Sequence, residues 1–249
     1  MLIDTHAHLW WESYVSDLTS VIERAELAEV EKIIVPGTDF ETSLQAINLA
    51  KRYPNKLYAA VGIHPEDELG SDVSKIEEMI VENRQYIVAI GEIGTDKSTE
   101  ELKNNIVKQC ELLKKQCEIA VKYDLPVIIH TRESLVETIQ VLDSLKKIPR
   151  GQFHCFSHDQ DAINQVIERG FYISFCGNIT WSKRVAKLVG LVPQERLLLE
   201  TDSPFMAAGE RNEPKFVAVL ANKIAELRGQ SFDEITAITS TNAKVLFNL

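Results

Sequence analysis

Short apolar runs rich in Val, Ile and Leu recur along the chain, and between them apolar residues fall three and four positions apart. The first pattern belongs to strands buried on both faces, the second to amphipathic helices. Taken in order, the runs predict strands over residues 2–8, 32–38, 57–65, 87–94, 126–131, 152–156, 171–177 and 197–202. Helices are predicted between them over 18–30, 41–53, 73–83, 100–123, 134–146, 161–169 and 182–192, with two more over 214–228 and 233–247. Strand and helix alternate through residues 1–249 without a linker or low-complexity break, which predicts one α/β domain built as a (β/α)8 TIM barrel. An open doubly wound sheet is the competing arrangement, but no glycine-rich phosphate fingerprint follows the first strand.

The ends of the predicted strands carry the chemistry. His6 and His8 are separated by one residue, so an extended backbone turns both imidazoles to the same side. A pair of histidines alone reads equally well as ordinary core or surface residues. Potential ligands recur, however, at one strand end after another: His64, Glu92, His130, His154 and Asp202. In a closed barrel these ends form the active-site mouth. The remaining histidine, His158, falls after strand six near a helix start and reads as a surface residue. Imidazoles with carboxylates suit Zn²⁺, Mn²⁺ or Fe²⁺ and hold Mg²⁺ with added waters. Four histidines and two carboxylates exceed what one ion takes while keeping an open position, so two divalent ions with a bridging carboxylate are expected.

Composition narrows the class without naming a substrate. With 45% hydrophobic and 26% charged residues in 249, the chain reads as an ordinary soluble globular protein with a sizeable core. Its formal net charge is 27 − 37 = −10, which argues against broad coating of nucleic acid but not against a strand held at one end by metal ions and a few basic residues. Cys110, Cys117, Cys155 and Cys176 form no C-x-x-C pair and read as reduced, packed thiols of a cytoplasmic protein. The chain opens directly on strand residues with no leader pattern, and no apolar run approaches the ~18 residues of a membrane span. No obligate protein partner is evident.

Taken together, the motifs Asp4-Thr5-His6-Ala7-His8, Gly62-Ile63-His64-Pro65, Gly91-Glu92-Ile93-Gly94, Leu125-Pro126-Val127-Ile128-Ile129-His130, His154-Cys155-Phe156-Ser157, Gly170-Phe171-Tyr172-Ile173-Ser174, Glu200-Thr201-Asp202-Ser203-Pro204 and Arg211-Asn212-Glu213-Pro214 resemble those of the TatD family of metal-dependent deoxyribonucleases, in the amidohydrolase superfamily. The likeness spans essentially the whole chain. It implies that His6, His8 and Asp202 hold one divalent ion, His130 and His154 the other, and that Glu92 bridges them, with Mg²⁺, Mn²⁺ or Zn²⁺ as the metals. Asp202, beside the metal and ionised at pH 7, is the candidate base, so Asp202 and Glu92 are the expected catalytic pair. His64 is expected to contact the scissile phosphate or orient a ligand, against the plainer reading of a cap on strand three. Arg132 and Arg211 are expected to bind phosphate oxygens, against ordinary ion pairs. Trp10 and Trp11 offer a stacking face to a terminal base, against simple packing.

The implied activity is 3′ to 5′ exonucleolytic hydrolysis of single-stranded DNA, with RNA as a further substrate. The first alternative is a hydrolase of another ester or amide, such as a D-aminoacyl-tRNA deacylase, because paired ions also polarise a carbonyl. Many superfamily relatives bridge their ions with a modified lysine at strand four, where this chain has Glu92. A non-catalytic binding protein is the least supported reading, since no ligand position is lost. Two departures stand out: Thr95-Asp96-Lys97 where Leu-Asp-aromatic is common, and Ser157-His158 where Ser-Gly is frequent. The first suggests an altered loop after strand four, affecting substrate preference.

Overall fold

In the computed structural model, which describes residues 1–67, 69–207, 209 and 211–249, eight strands form one sheet in sequential order, each parallel to the next. They are β1 (Leu2–Asp4), β2 (Val30–Pro36), β3 (Leu57–Val61), β4 (Ile87–Asp96), β5 (Val127–Arg132), β6 (Gly151–Phe153), β7 (Tyr172–Phe175) and β8 (Leu197–Leu199). The expected (β/α)8 barrel is the observed fold. The helices are α1 (Leu18–Leu27), α2 (Phe40–Arg52), α3 (Ser74–Asn83), α4 (Glu100–Asn104), α5 (Ile106–Lys122), α6 (Leu135–Asp143), α7 (Gln160–Glu168), α8 (Lys183–Val189), α9 (Val217–Arg228) and α10 (Phe232–Phe247).

Alternation along each strand divides the core. Ile33 and Val35 of β2 pack toward the helices, whereas Ile34 joins Ile3, Ile128 and Leu198 inside the ring. Ala243, Leu246 and Phe247 of α10 pack into that inner cluster and close one end of the barrel. The other end is left to the site. Among the described residues no helix is long and apolar enough to cross a membrane.

Two departures from the expected elements bear on function. Strands one and eight end earlier than predicted, because the segments after them leave the ladder to close the ring through individual hydrogen bonds. The Thr5 amide donates to Leu199 (3.1 Å), the Asp202 amide to His6 (2.9 Å) and the His8 amide to Ser203 (2.7 Å). Strand four instead runs two residues further than predicted, so Thr95 and Asp96 belong to the sheet and not to a loop. The expected altered loop is corrected accordingly: only Lys97 leaves the strand, and its Nζ pairs with Glu137 at 2.7 Å.

The helix predicted over 100–123 is divided at Asn105. In an unbroken helix the Leu102 carbonyl would accept from Ile106. Here it accepts from the buried Gln109 side chain at 2.9 Å, which also donates to the Asp96 carbonyl (3.0 Å) and accepts from its amide (2.7 Å). Seven residues on, and on the same helix face, Gln116 accepts from the Ile63 amide (2.8 Å) and donates to its carbonyl (3.0 Å). Two glutamines of α5 thus fix the backbone at the ends of β3 and β4, beside His64 and Asp96.

Candidate metal centre

Six strand ends, those of β1, β3, β4, β5, β6 and β8, deliver side chains to the barrel mouth. The register between β4 and β5 shifts between Ile90 and Ile93, and this irregularity turns Glu92 inward. Its two carboxylate oxygens face two different sets of imidazoles. Glu92 Oε2 lies 3.2 Å from His6 Nε2 and 3.5 Å from His8 Nε2. Glu92 Oε1 lies 3.3 Å from His64 Nε2, 3.1 Å from His130 Nδ1 and 2.8 Å from His154 Nε2. Asp202 Oδ1 completes the first set, 3.6 Å from both His6 and His8 Nε2. Asp202 has a left-handed backbone (φ 56°), a conformation that aspartate tolerates better than most residues and that concentrates at functional sites.

His6 and His8 lie beyond β1, so simple strand alternation does not account for their convergence. Asp4 does part of that work: it accepts from the His6 amide (3.2 Å), the Thr201 amide (2.9 Å) and the Thr201 hydroxyl (2.6 Å), joining the two segments that carry His6 and Asp202. Burial raises the Asp4 carboxyl to about 8 against these hydrogen bonds.

The donor set fits divalent cations. His6 and His8 bring their Nε2 atoms to 3.0 Å of each other, an approach that at most one proton can relieve as a hydrogen bond. A cation facing both lone pairs relieves it fully, and ligands ~2.0–2.1 Å from a zinc-sized ion are spaced on this scale. Burial alone would push Glu92 up and His154 down. The reverse holds: neighbouring histidine charge takes Glu92 well below the usual carboxylate range, and Glu92 and Glu200 take His154 well above its ordinary value. The cluster therefore favours positive charge at its centre. Burial likewise opposes ionisation of Asp202, but a hydrogen bond from His8 and nearby histidine charge lower it.

Two carboxylates behind the histidines were not singled out from sequence. His130 turns Nδ1 to Glu92 and places Nε2 2.8 Å from Asp96 Oδ2, which fixes its ring. Although burial works against it, the bond from His130 and those from Ser98 hold the Asp96 carboxyl at about 2. Glu200 accepts from the Ser174 hydroxyl (2.7 Å) and the Cys155 amide and stands 3.6 Å behind His154 Nδ1. The available signal was a buried acid within an apolar strand pattern, at Asp96 and again at Glu200. Asp96→Asn is expected to weaken metal binding or activity about 10–100-fold, the usual effect of losing such a partner; metal titration of the purified variant checks it.

The proposed substrate contacts are placed differently. His64 joins the donor cluster itself, and Arg132 lies exposed at the end of β5, lining the cavity with no ion pair among the described residues. Trp10 and Trp11 line it too, Trp10 fixed by its indole N–H donating to the Pro36 carbonyl at 2.7 Å. Arg211 does not line the cavity. Its guanidinium is held by Asp17 (2.7 Å), Glu213 (2.9 Å) and the Ser13 carbonyl over the Tyr14 ring, so the structure gives it the ion-pair alternative. His158 is not a free surface residue: it is half-buried, with Nε2 3.1 Å from the Thr131 carbonyl.

That assignment of Arg211 predicts a stability effect. Arg211→Ala is expected to lower Tm by roughly 2–4 °C, the shift about 1 kcal/mol makes in a chain of this size. Hydrogen bonds from Arg211 hold Asp17 at about 2 in the folded protein, against 3.8 ordinarily. A depressed carboxyl stabilises the fold above its unfolded value, and that stability is lost as pH falls through the folded one. Asp17→Asn is therefore expected to unfold at lower temperature than wild type at pH 5, with the gap closing between about pH 4 and 2.

Strand ends that converge histidines and carboxylates on one buried cluster define a metal-dependent hydrolase of the barrel class. The family follows from comparison with known proteins. A family model for TatD related DNase matches residues 3–248, and the chain belongs to that family. It is 38% identical to the uncharacterized metal-dependent hydrolase YabD of Bacillus subtilis, over 100% of both chains. It is 30% identical to the 3′-5′ ssDNA/RNA exonuclease TatD of Escherichia fergusonii, over 100% of this chain and 99% of that one. The crystal structure of YjjV, a TatD homolog from Escherichia coli K12, superposes with a TM-score of 0.93 at 30% identity, covering 100% of this chain and 98% of the other.

Proposed function

We propose that this chain hydrolyses phosphodiesters with two divalent ions and removes nucleotides from the 3′ end of single-stranded DNA, and of RNA. The observation that carries the reading is Glu92, whose Oε2 faces His6 and His8 while Oε1 faces His64, His130 and His154, the disposition a carboxylate needs to bridge two ions. When bound, such ions supply positive charge to the phosphate oxygens and lower the pKa of water. Asp202 takes the proton from the attacking water, and the depression of its pKa keeps it ionised for that role. Arg132 binds a non-bridging phosphate oxygen from the rim, and His64 orients the cluster through Glu92. A cavity of about 760 Å³ above the cluster has room for a nucleotide. The name of the Escherichia fergusonii relative supports the direction and the strand preference.

Cleavage of an ester or amide bearing an ammonium group is the second reading, favoured by Glu66 and Asp67 on the same cavity wall. A time course of 5′-labelled single-stranded DNA and RNA with Mg²⁺, Mn²⁺ or Zn²⁺ separates the two. A ladder shortening from the 3′ end, abolished by EDTA, is expected. Intact strands with metal-loaded protein would leave the ester or amide reading.

A further inference from the structure

The cavity above the cluster continues past its own walls in two directions, and the two differ in charge. On one side it shares Glu66 and Asp67 with a depression that also carries Glu101, three carboxylates against Lys108 among the described residues. On the other it shares Trp10 and Trp11 with a cleft of about 430 Å³ between α1 and α2. Among the described residues Asp17 is the one carboxylate lining that cleft, and it is neutralised by Arg24 at 3.1 Å and Arg211 at 2.7 Å. Gln45, Asn48 and Arg52 line it from α2 at i, i+3 and i+7, on one helix face. Arg52 is exposed and makes no ion pair among the described residues.

We propose that the α1/α2 cleft is a second binding site, which seats the upstream nucleotides of a single strand whose 3′ end lies at the metal cluster; this rests on the nuclease reading above. A polyanion is repelled by the carboxylate side and has a neutral to basic route on the other. The route crosses two aromatic faces. Trp10 is held by Pro36, and Trp11 packs edge-on against Phe205 with ring centroids 4.9 Å apart, so both indoles are positioned before a base arrives. Stacking is indifferent to base identity, and neutral amides and hydroxyls also donate to phosphate oxygens, though each bond is weaker than one from a cation. A chain of net charge −10 can thus guide a strand with Arg52 in the cleft, whose guanidinium lies 5.2 Å over the Tyr53 ring and has no ion pair among the described residues. Arg211 then acts on the substrate at one remove, by cancelling Asp17.

The test compares kcat/KM on a ten-nucleotide single strand with kcat/KM on bis(p-nitrophenyl) phosphate, which reaches only the metal cluster. The ratio is expected to fall several-fold in the Gln45→Ala/Asn48→Ala double variant, whose side chains line the cleft and not the cavity over the cluster. In Arg52→Glu it is expected to fall several-fold with a shallower dependence on salt, and the effect should vanish on a dinucleotide too short for the cleft. An unchanged ratio in both variants, with the wild type degrading the ten-nucleotide strand, would overturn the cleft alone. A wild type that cleaves the small diester but no strand of any length would overturn the nuclease reading and the cleft with it.

Discussion

Glu92→Gln is expected to abolish turnover while leaving the barrel folded. The substitution keeps the shape of the side chain but removes its charge and replaces one carboxylate oxygen with an N–H₂ group that cannot ligate a cation. Whichever way the amide turns, one of the two imidazole sets loses the oxygen that now faces it, either His6 and His8 or His64, His130 and His154. The loss should exceed the ~10–100-fold typical of partners behind a ligating histidine. Metal content by elemental analysis should fall together with activity, and thermal unfolding without metal should remain cooperative. A Glu92→Gln protein with wild-type turnover would refute the assigned centre.

Gly94→Ala is expected to damage the fold and the centre together. A Cβ at Gly94 would lie 1.9 Å from the His130 carbonyl oxygen and 2.7 Å from its carbonyl carbon, backbone atoms that no rotamer change can move. The strands can accommodate it only by parting where Gly94 pairs with His130. Overpacking of a core ordinarily costs ~1–3 kcal/mol, and a clash of this depth should exceed that range. At 2–4 °C per kcal/mol, Tm should fall by roughly 10 °C or more. Gly190→Ala is the control: an added Cβ there meets nothing within 4 Å, and its φ of −71° suits any residue. Comparable Tm values for the two variants would show that β4 and β5 are not in the close contact described.

Much of the chemistry was legible before the fold. Burial of parallel strands on both faces demands continuous apolar runs, so eight such runs appear in the sequence, and their polar ends at His64, Glu92, His130, His154 and Asp202 stand out against them. Element ends were less legible. Where a strand stops depends on which neighbour takes its next hydrogen bond, and for Thr5, His8 and Asp202 that neighbour lies about two hundred residues away. The break at Asn105 has the same origin, since Gln109 takes the Leu102 carbonyl only because β4 lies beside it.

The barrel, the family resemblance and the residue types at the mouth can all be read along the chain, because periodicity and donor chemistry are local properties. Tertiary structure decided how those donors divide. It turned the two oxygens of Glu92 to different histidines, set Asp96 behind His130 and Glu200 behind His154, and committed Arg211 to Asp17 and Glu213 rather than to the cavity. Each of these outcomes depends on distances of about 3 Å between residues far apart in the chain. Hydrogen bonds and ion pairs weaken steeply beyond that reach, so only the closed ring determines which partners meet.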